Sequence, residues 1–143
     1  YDSYFFIKKN LNNKRMKNKI KAVNEFHKAF GLGIQNSPTA ELEINRNLLR
    51  YKLMREENEE YLDAANNRDL VEVADALGDM LYILCGTIIE HGMQHKIEEV
   101  FNEIQKSNMS KLGADGKPIF REDGKVLKGP NYFKPDINSI LNK

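Results

Sequence analysis

Between Glu56 and Asp79 the chain carries nine acidic residues and a single basic one, Arg68. Apolar residues are threaded through this block at helical spacing, which restricts how it can fold. Leu42, Leu49, Leu53, Glu56 and Glu60 fall on one mixed face, apolar early and carboxylate late. This predicts a helix from about residue 41 to 66. Asn66 and Asn67 break it. Asp69 then offers an N-cap, with Glu72 three residues on in the capping-box arrangement. A further helix follows to about His91, with Val73, Leu77, Met80, Leu81, Leu84 and Ile88 as its buried stripe. Gly92 is placed to end it. So short a connection favours antiparallel neighbours, and the two acidic stripes then face one another.

The rest of the chain is consistent with a helical body. Ile20, Val23, Phe26 and Phe30 predict a helix over 17–30, closed by Gly31 and Gly33. Residues 35–39 have turn chemistry, with Pro38 as the breaker. Ile97, Val100, Phe101 and Ile104 predict a fourth helix over 94–108. Asp115-Gly116 and Asp123-Gly124 are hairpin signals. Residues 118–120 and 125–127 are expected to pair as a small ribbon, before a tail punctuated by Gly129, Pro130 and Pro135. The expected fold is all-α: an antiparallel four-helix bundle-like subunit with a short C-terminal β-hairpin or extended tail. The expected boundaries are an N-terminal extension or partner-contacting segment over 1–16, a helical catalytic domain over 17–112, and a hairpin and docked tail over 113–143.

Composition excludes several classes. At 143 residues the chain suits one domain. The single Cys85 admits no internal disulfide framework and no Cys-rich zinc site. No apolar run approaches a membrane span and no signal segment is evident, so a cytoplasmic protein with no membrane partner is expected. The net charge of +1 hides strong segregation. Residues 1–30 balance at +6, residues 56–79 at −8 and residues 106–128 at +3. The basic start carries no recognition-helix pattern, and no nucleic-acid polymer is expected as a partner. Tyr1, Tyr4, Phe5 and Phe6 are too apolar for a simple tail and are expected to pack on the body or on a partner subunit. Met16 is an alternative start.

Carboxylates beside a core need compensation, and like charges one turn apart repel. Glu56, Glu57, Glu59 and Glu60 on one helix, with Glu72, Asp75 and Asp79 on the next, create both problems. A divalent cation relieves both. Hard oxygen donors suit Mg²⁺, which keeps waters and contacts substrate phosphates, and Mn²⁺ also fits. A solvated acidic face stays open as the plainer reading, and spacing alone identifies no substrate.

At these residues the sequence resembles the MazG-like all-alpha nucleoside triphosphate pyrophosphohydrolases. Their Glu-Glu-x-x-Glu and Glu-x-x-Asp motifs match Glu56-Glu57-x-x-Glu60 and Glu72-x-x-Asp75. The run from Asp69 to Tyr82 looks like the phosphoribosyl-ATP pyrophosphohydrolase-like branch. So do Ser107-Asn108-Met109-Ser110-Lys111-Leu112 and the later Gly-Lys-Val-Leu-Lys-Gly-Pro-Asn-Tyr. The resemblance implies Mg²⁺-dependent cleavage between the α and β phosphates of a nucleotide. It implies Glu57, Glu60, Glu72 and Asp75 as metal ligands, with Glu56 orienting or activating water and Asp79 supporting the site or binding a second ion. It implies a homodimer or homotetramer. Lys106, Asn108, Lys111, Lys125 and Lys128 become candidates for holding the substrate, with Tyr82 for stacking a base and His27 for a further contact. The histidines alone, His27, His91 and His95, read as helix-end or surface residues, and Cys85 as core. Three other readings stand beside a deoxynucleotide or modified-nucleotide pyrophosphohydrolase. They are a phosphoribosyl-ATP pyrophosphohydrolase, a metal-stabilised helical protein-binding module without enzymatic activity, and a DNA-binding bundle.

Overall fold

The computed structural model describes the backbone of residues 2–143 and the side chains of residues 15–143. The aromatic side chains of Tyr1, Tyr4, Phe5 and Phe6 therefore lie outside the described residues. The elements are α1 (Asp2–Phe30), α2 (Arg46–Asn66), α3 (Leu70–Glu90), α4 (Ile97–Met109) and α5 (Ile137–Leu141). The chain is all-α. Among the described residues, no helix is long and apolar enough to cross a membrane. The chain forms two compact units, one ending at Gln94 and the other running His95–Lys143.

In the first unit α3 packs against both α1 and α2. α1 begins at Asp2, well before the expected residue 17. α2 begins five residues later than expected. Asn45 takes a left-handed backbone (φ 67°), and the Arg46 N–H bonds to the Glu43 carbonyl, so residues 43–46 form a turn. Asn adopts that left-handed conformation more readily than most residues. At α3 the Asp69 carboxylate accepts the Glu72 N–H at 3.2 Å, as its cap position predicts. α3 closes on Gly92, at φ +66°. A side chain there would collide with the Ser37 carbonyl, so only glycine lets residues 35–39 cross the helix end. The Thr39 N–H bonds to the His91 carbonyl, and the His91 Nδ1–H donates to the Thr39 carbonyl at 2.8 Å.

Among the described residues, the hydrocarbon core of the first unit is small. It comprises Ile20 and Val23 from α1, Ala64 from α2, and Ala76, Cys85, Ile88 and Ile89 from α3. Polar side chains complete it: His27, Arg50 and Glu90 are 2%, 6% and 2% exposed. The expected inward stripe is corrected in part. Phe26, Phe30, Leu77, Leu81 and Leu84 stay exposed. The helices meet instead along small residues, Ala64, Ala76 and Gly86, and along the buried polar groups. A Cβ on Gly86 would lie 2.6 Å from Arg50 Nη2 and 2.7 Å from His27 Nε2. Gly86 is thus where side chains from both α1 and α2 reach α3.

The second unit joins α4 to the tail. Ser107 Oγ donates to the Phe133 carbonyl at 2.8 Å, and the Phe133 N–H donates to Ser110 Oγ. The Gly129 N–H bonds to the Lys111 carbonyl at 2.8 Å. The expected ribbon is present as one antiparallel bridge between Phe120 and Val126. The residues expected as an extended tail include α5, which Asp136 caps by accepting the Ser139 N–H at 3.1 Å. Five residues are too few for an apolar period to show, so only the cap marks that helix in sequence.

Candidate active site on the seam between two helices

α2 and α3 run antiparallel and share one seam. On α2 it is marked by Arg46, Arg50, Glu57, Glu60 and Ala64, at helical spacing. On α3 it is marked by Asp75, Asp79, Ile83, Thr87 and Glu90. The two ends of the seam have opposite chemistry.

One end is a buried ion-pair network. Arg46 donates from Nε to Glu90 Oε1 at 2.7 Å, and its Nη2 lies 2.6 Å from the same oxygen. Arg50 donates from Nε to Thr87 Oγ1 at 3.0 Å and from Nη2 to the Ile83 carbonyl at 2.8 Å. Its Nε also lies 3.1 Å from Glu90 Oε2 as an ion pair, although that buried oxygen accepts no hydrogen bond. Burial pulls the Arg50 guanidinium below its ordinary range; Glu90 opposes this and Arg46 adds to it. A cavity of about 290 Å³ opens beside this network, lined by residues 31–35, Arg46 and Glu90. Glu57 sits 11 residues along α2 from Arg46, roughly 16 Å away. The cavity therefore does not coincide with the carboxylates.

The other end is acidic and unpaired. Glu57 is half-buried, and its Oε2 has no hydrogen-bond partner. Burial pushes its carboxyl up from the ordinary carboxylate range. The charges of Glu60, Asp79 and Asp75 add to this. The fold therefore gathers Glu57, Glu60, Asp75 and Asp79 from two helices. Glu56, Glu60, Glu72, Asp75 and Asp79 are exposed. Glu72 stands in the first turn of α3. Among the described residues, no three His, Cys, Asp or Glu side chains converge closely enough to hold a metal ion as they stand. The donor set still fits a hard cation: all oxygen, carboxylate, and including one buried oxygen without a partner.

The Glu57 shift has a signed consequence. A carboxyl whose folded-state pKa is raised contributes stability that is fully present below its unfolded value, about 4.3. That contribution is lost as pH rises through the raised folded value. In thermal melts without divalent metal, Glu57→Gln should therefore gain on the parent protein as pH rises from about 4 to about 8. Parallel curves for the two proteins would reject the assignment of this strain to Glu57.

The remaining candidates separate. Tyr82 lies one turn beyond Asp79 and is 42% exposed. Its ring meets Phe26 edge-on at 5.6 Å, and Phe26 lies 4.4 Å from Phe30, so the three form an exposed aromatic cluster. His27 is buried, not at the surface. Its Nδ1 donates to the Gly33 carbonyl at 2.9 Å, which turns the other ring nitrogen towards Gly86. His91 stands at the end of α3, as expected. Cys85 is buried, and burial pushes its thiol up despite Lys19. In the second unit Lys111 Nζ donates to Asn108 Oδ1 at 2.8 Å. Lys128 Nζ sits 4.5 Å above the Tyr132 ring. Lys106 and Lys125 are exposed. Arg46, Arg50, Thr87 and Glu90 were missed by sequence reasoning, although Arg46 and Arg50 stand at helical spacing ahead of Glu57.

Comparison with known proteins settles the family. A profile described as Phosphoribosyl-ATP pyrophosphohydrolase matches residues 23–108, more than half of the chain and all of α2, α3 and the seam. The chain belongs to the phosphoribosyl-ATP pyrophosphohydrolase family. Its MazG-like resemblance and all-α fold agree with that membership, and it is a nucleotide pyrophosphohydrolase. A search of curated proteins gives no significant match. Among solved structures, the chain is similar to a protein from Exiguobacterium sp. 255-15, provisionally named an NTP pyrophosphohydrolase. Identity is 27% over 87% of this chain and 94% of the other, with a TM-score of 0.46.

Proposed function

We propose that the acidic end of the seam cleaves the α–β phosphoanhydride of a nucleoside triphosphate, with Mg²⁺, to a nucleoside monophosphate and pyrophosphate. The observation that carries this reading is the Glu57 carboxyl, unpaired at Oε2 and set among Glu60, Asp75 and Asp79, in a chain of this family. Glu57, Glu60, Glu72 and Asp75 would hold the cation, with Asp79 supporting them or holding a second ion. Mn²⁺ would satisfy the same donors. When bound, the cation supplies Lewis-acid polarisation of the phosphate oxygens. Glu56 orients the attacking water and takes its proton. The water oxygen forms the new bond to the α phosphorus, the bond to the bridging oxygen breaks, and pyrophosphate leaves with that electron pair. In-line positioning and charge stabilisation supply most of the rate.

The substrate's other parts fall to other residues. Tyr82, beside Phe26, offers a base an exposed aromatic face. Lys106, Lys111, Lys125 and Lys128 are proposed to neutralise phosphates, with Asn108 contacting base, sugar or phosphate. His27 is proposed to act through the Gly33 carbonyl, because its ring is buried. A homodimer or homotetramer is also proposed. Leu77, Leu81 and Leu84 leave an apolar stripe on α3 that a second copy would cover, and mass photometry should read two or four chains.

The test is a panel of ribo-, deoxyribo- and modified nucleoside triphosphates together with phosphoribosyl-ATP, each with Mg²⁺. The family description favours phosphoribosyl-ATP as the second reading. Release of pyrophosphate from a triphosphate supports the first reading, and turnover of phosphoribosyl-ATP alone supports the second. Silence across the panel overturns both and favours a metal-stabilised binding module. Lys111→Ala should raise KM more than it lowers kcat, and an unchanged KM would remove Lys111 from the substrate site.

A further inference from the structure

We propose that Arg50 is a positioning residue: it locks the register of α3 against α2 and so sets Asp75 and Asp79 opposite Glu57 and Glu60. The inference rests on the proposed metal-dependent reading for its consequence in catalysis, but the lock itself is a matter of geometry.

Arg50 lies seven residues before Glu57, two turns away on the same face of α2. Its three contacts on α3 fall at Ile83, Thr87 and Glu90. Ile83 is four residues beyond Asp79, one turn away on the same face. The lock and the carboxylates are therefore neighbours along one seam. A slip of one residue along a helix moves it about 1.5 Å and turns its side chains by about 100°. Asp79 would then leave the seam.

The contacts specify register more sharply than apolar packing would. The guanidinium donates to a main-chain carbonyl and a hydroxyl from two nitrogens of one rigid planar fork, and lies beside the Glu90 carboxylate as an ion pair. Thr87 Oγ1 donates in turn to the same Ile83 carbonyl at 2.9 Å, so it can accept only from a group on the Arg50 side. Gly86 leaves room for the guanidinium to lie against the α3 backbone. Arg50 is 6% exposed and Glu90 2%, so water cannot replace these bonds. Beyond the carboxylates the helices are joined by the short turn over residues 67–69, where the Asp69 N–H bonds to the Ala64 carbonyl, and by buried Ala64 and Ala76. Arg50 supplies the side-chain fastening on the other side of the carboxylates, against their mutual repulsion.

Arg50→Lys tests this directly. It keeps the charge opposite Glu90 but cannot reproduce the fork. Thr87→Val is the milder companion, since it removes one partner of Arg50 at nearly constant shape. Spin labels at Asn58→Cys and Ala74→Cys, both exposed positions, report the distance between α2 and α3 by pulsed electron resonance. Arg50→Lys should broaden or shift that distance with unchanged helical circular dichroism, and Thr87→Val should do so to a smaller extent. Mn²⁺ affinity and kcat should fall together by about 10- to 100-fold, with KM for the nucleotide nearly constant. Distance distributions that superimpose on the parent's overturn the proposal, as does a parent-like Mn²⁺ affinity in a folded Arg50→Lys protein. If Arg50→Lys does not fold, Thr87→Val decides by the same two readouts. A parent protein that turns over no nucleotide would sink the functional reading instead, while the distances would still rule on the lock.

Discussion

Glu60→Gln and Asp75→Asn should each lower Mg²⁺-dependent pyrophosphate release by on the order of 10²–10³-fold, the scale of losing one electrostatic stabiliser of a phosphoryl transition state. Both side chains are exposed, and both changes nearly preserve shape. Folding should therefore be little affected, since surface substitutions usually stay within about 0.5 kcal/mol. Each variant also removes one of the negative charges acting on Glu57. Without metal, each should melt no lower than the parent protein. Loss of turnover without loss of stability separates a functional carboxylate from a structural one. Parent-like turnover in both variants would reject this site.

Glu90→Ala should show the opposite pattern, a large loss of stability from a residue outside the chemistry. The Glu90 carboxylate is 2% exposed and meets Arg46 at 2.6 Å and Arg50 at 3.1 Å. Removing it leaves the Arg50 guanidinium buried beside Arg46 without a counter-charge. Breaking a buried pair in this way costs about 3–5 kcal/mol. For a chain of this size, that is roughly 10–20 °C in Tm. Glu90→Gln keeps the volume and should lose less. A Tm for Glu90→Ala close to the parent's would mean that the network does not hold α2 and α3 together.

These two residues also mark how far the sequence could be read. Helix ends were legible where the cause is local: the Asp69 cap, and Gly92 at positive φ under the Ser37 carbonyl. The acidic seam was legible because Glu57, Glu60, Asp75 and Asp79 keep helical spacing on two adjacent helices. The start of α2 was misplaced because the turn over residues 43–46 depends on the backbone of Asn45. Arg46 and Arg50 were missed for a different reason. Their partner, Glu90, lies 44 and 40 residues away, and the pairing leaves no local trace. Polar residues in a helix read as a solvent face unless the periodicity of the whole seam is followed from Arg46 through Ala64. The exposed Leu77, Leu81 and Leu84 were assigned to the core because an apolar period says that a face is buried, not against what.

The central claim is that water attacks the α phosphorus at the acidic seam. The most direct measurement is turnover of the preferred nucleotide with Mg²⁺ in ¹⁸O-enriched water, with the products read by ³¹P NMR. The account predicts pyrophosphate and a nucleoside monophosphate, the label wholly in the monophosphate, and both products formed on the order of 10²–10³-fold more slowly by Glu60→Gln. Orthophosphate as the first product, or label in the pyrophosphate, would contradict it.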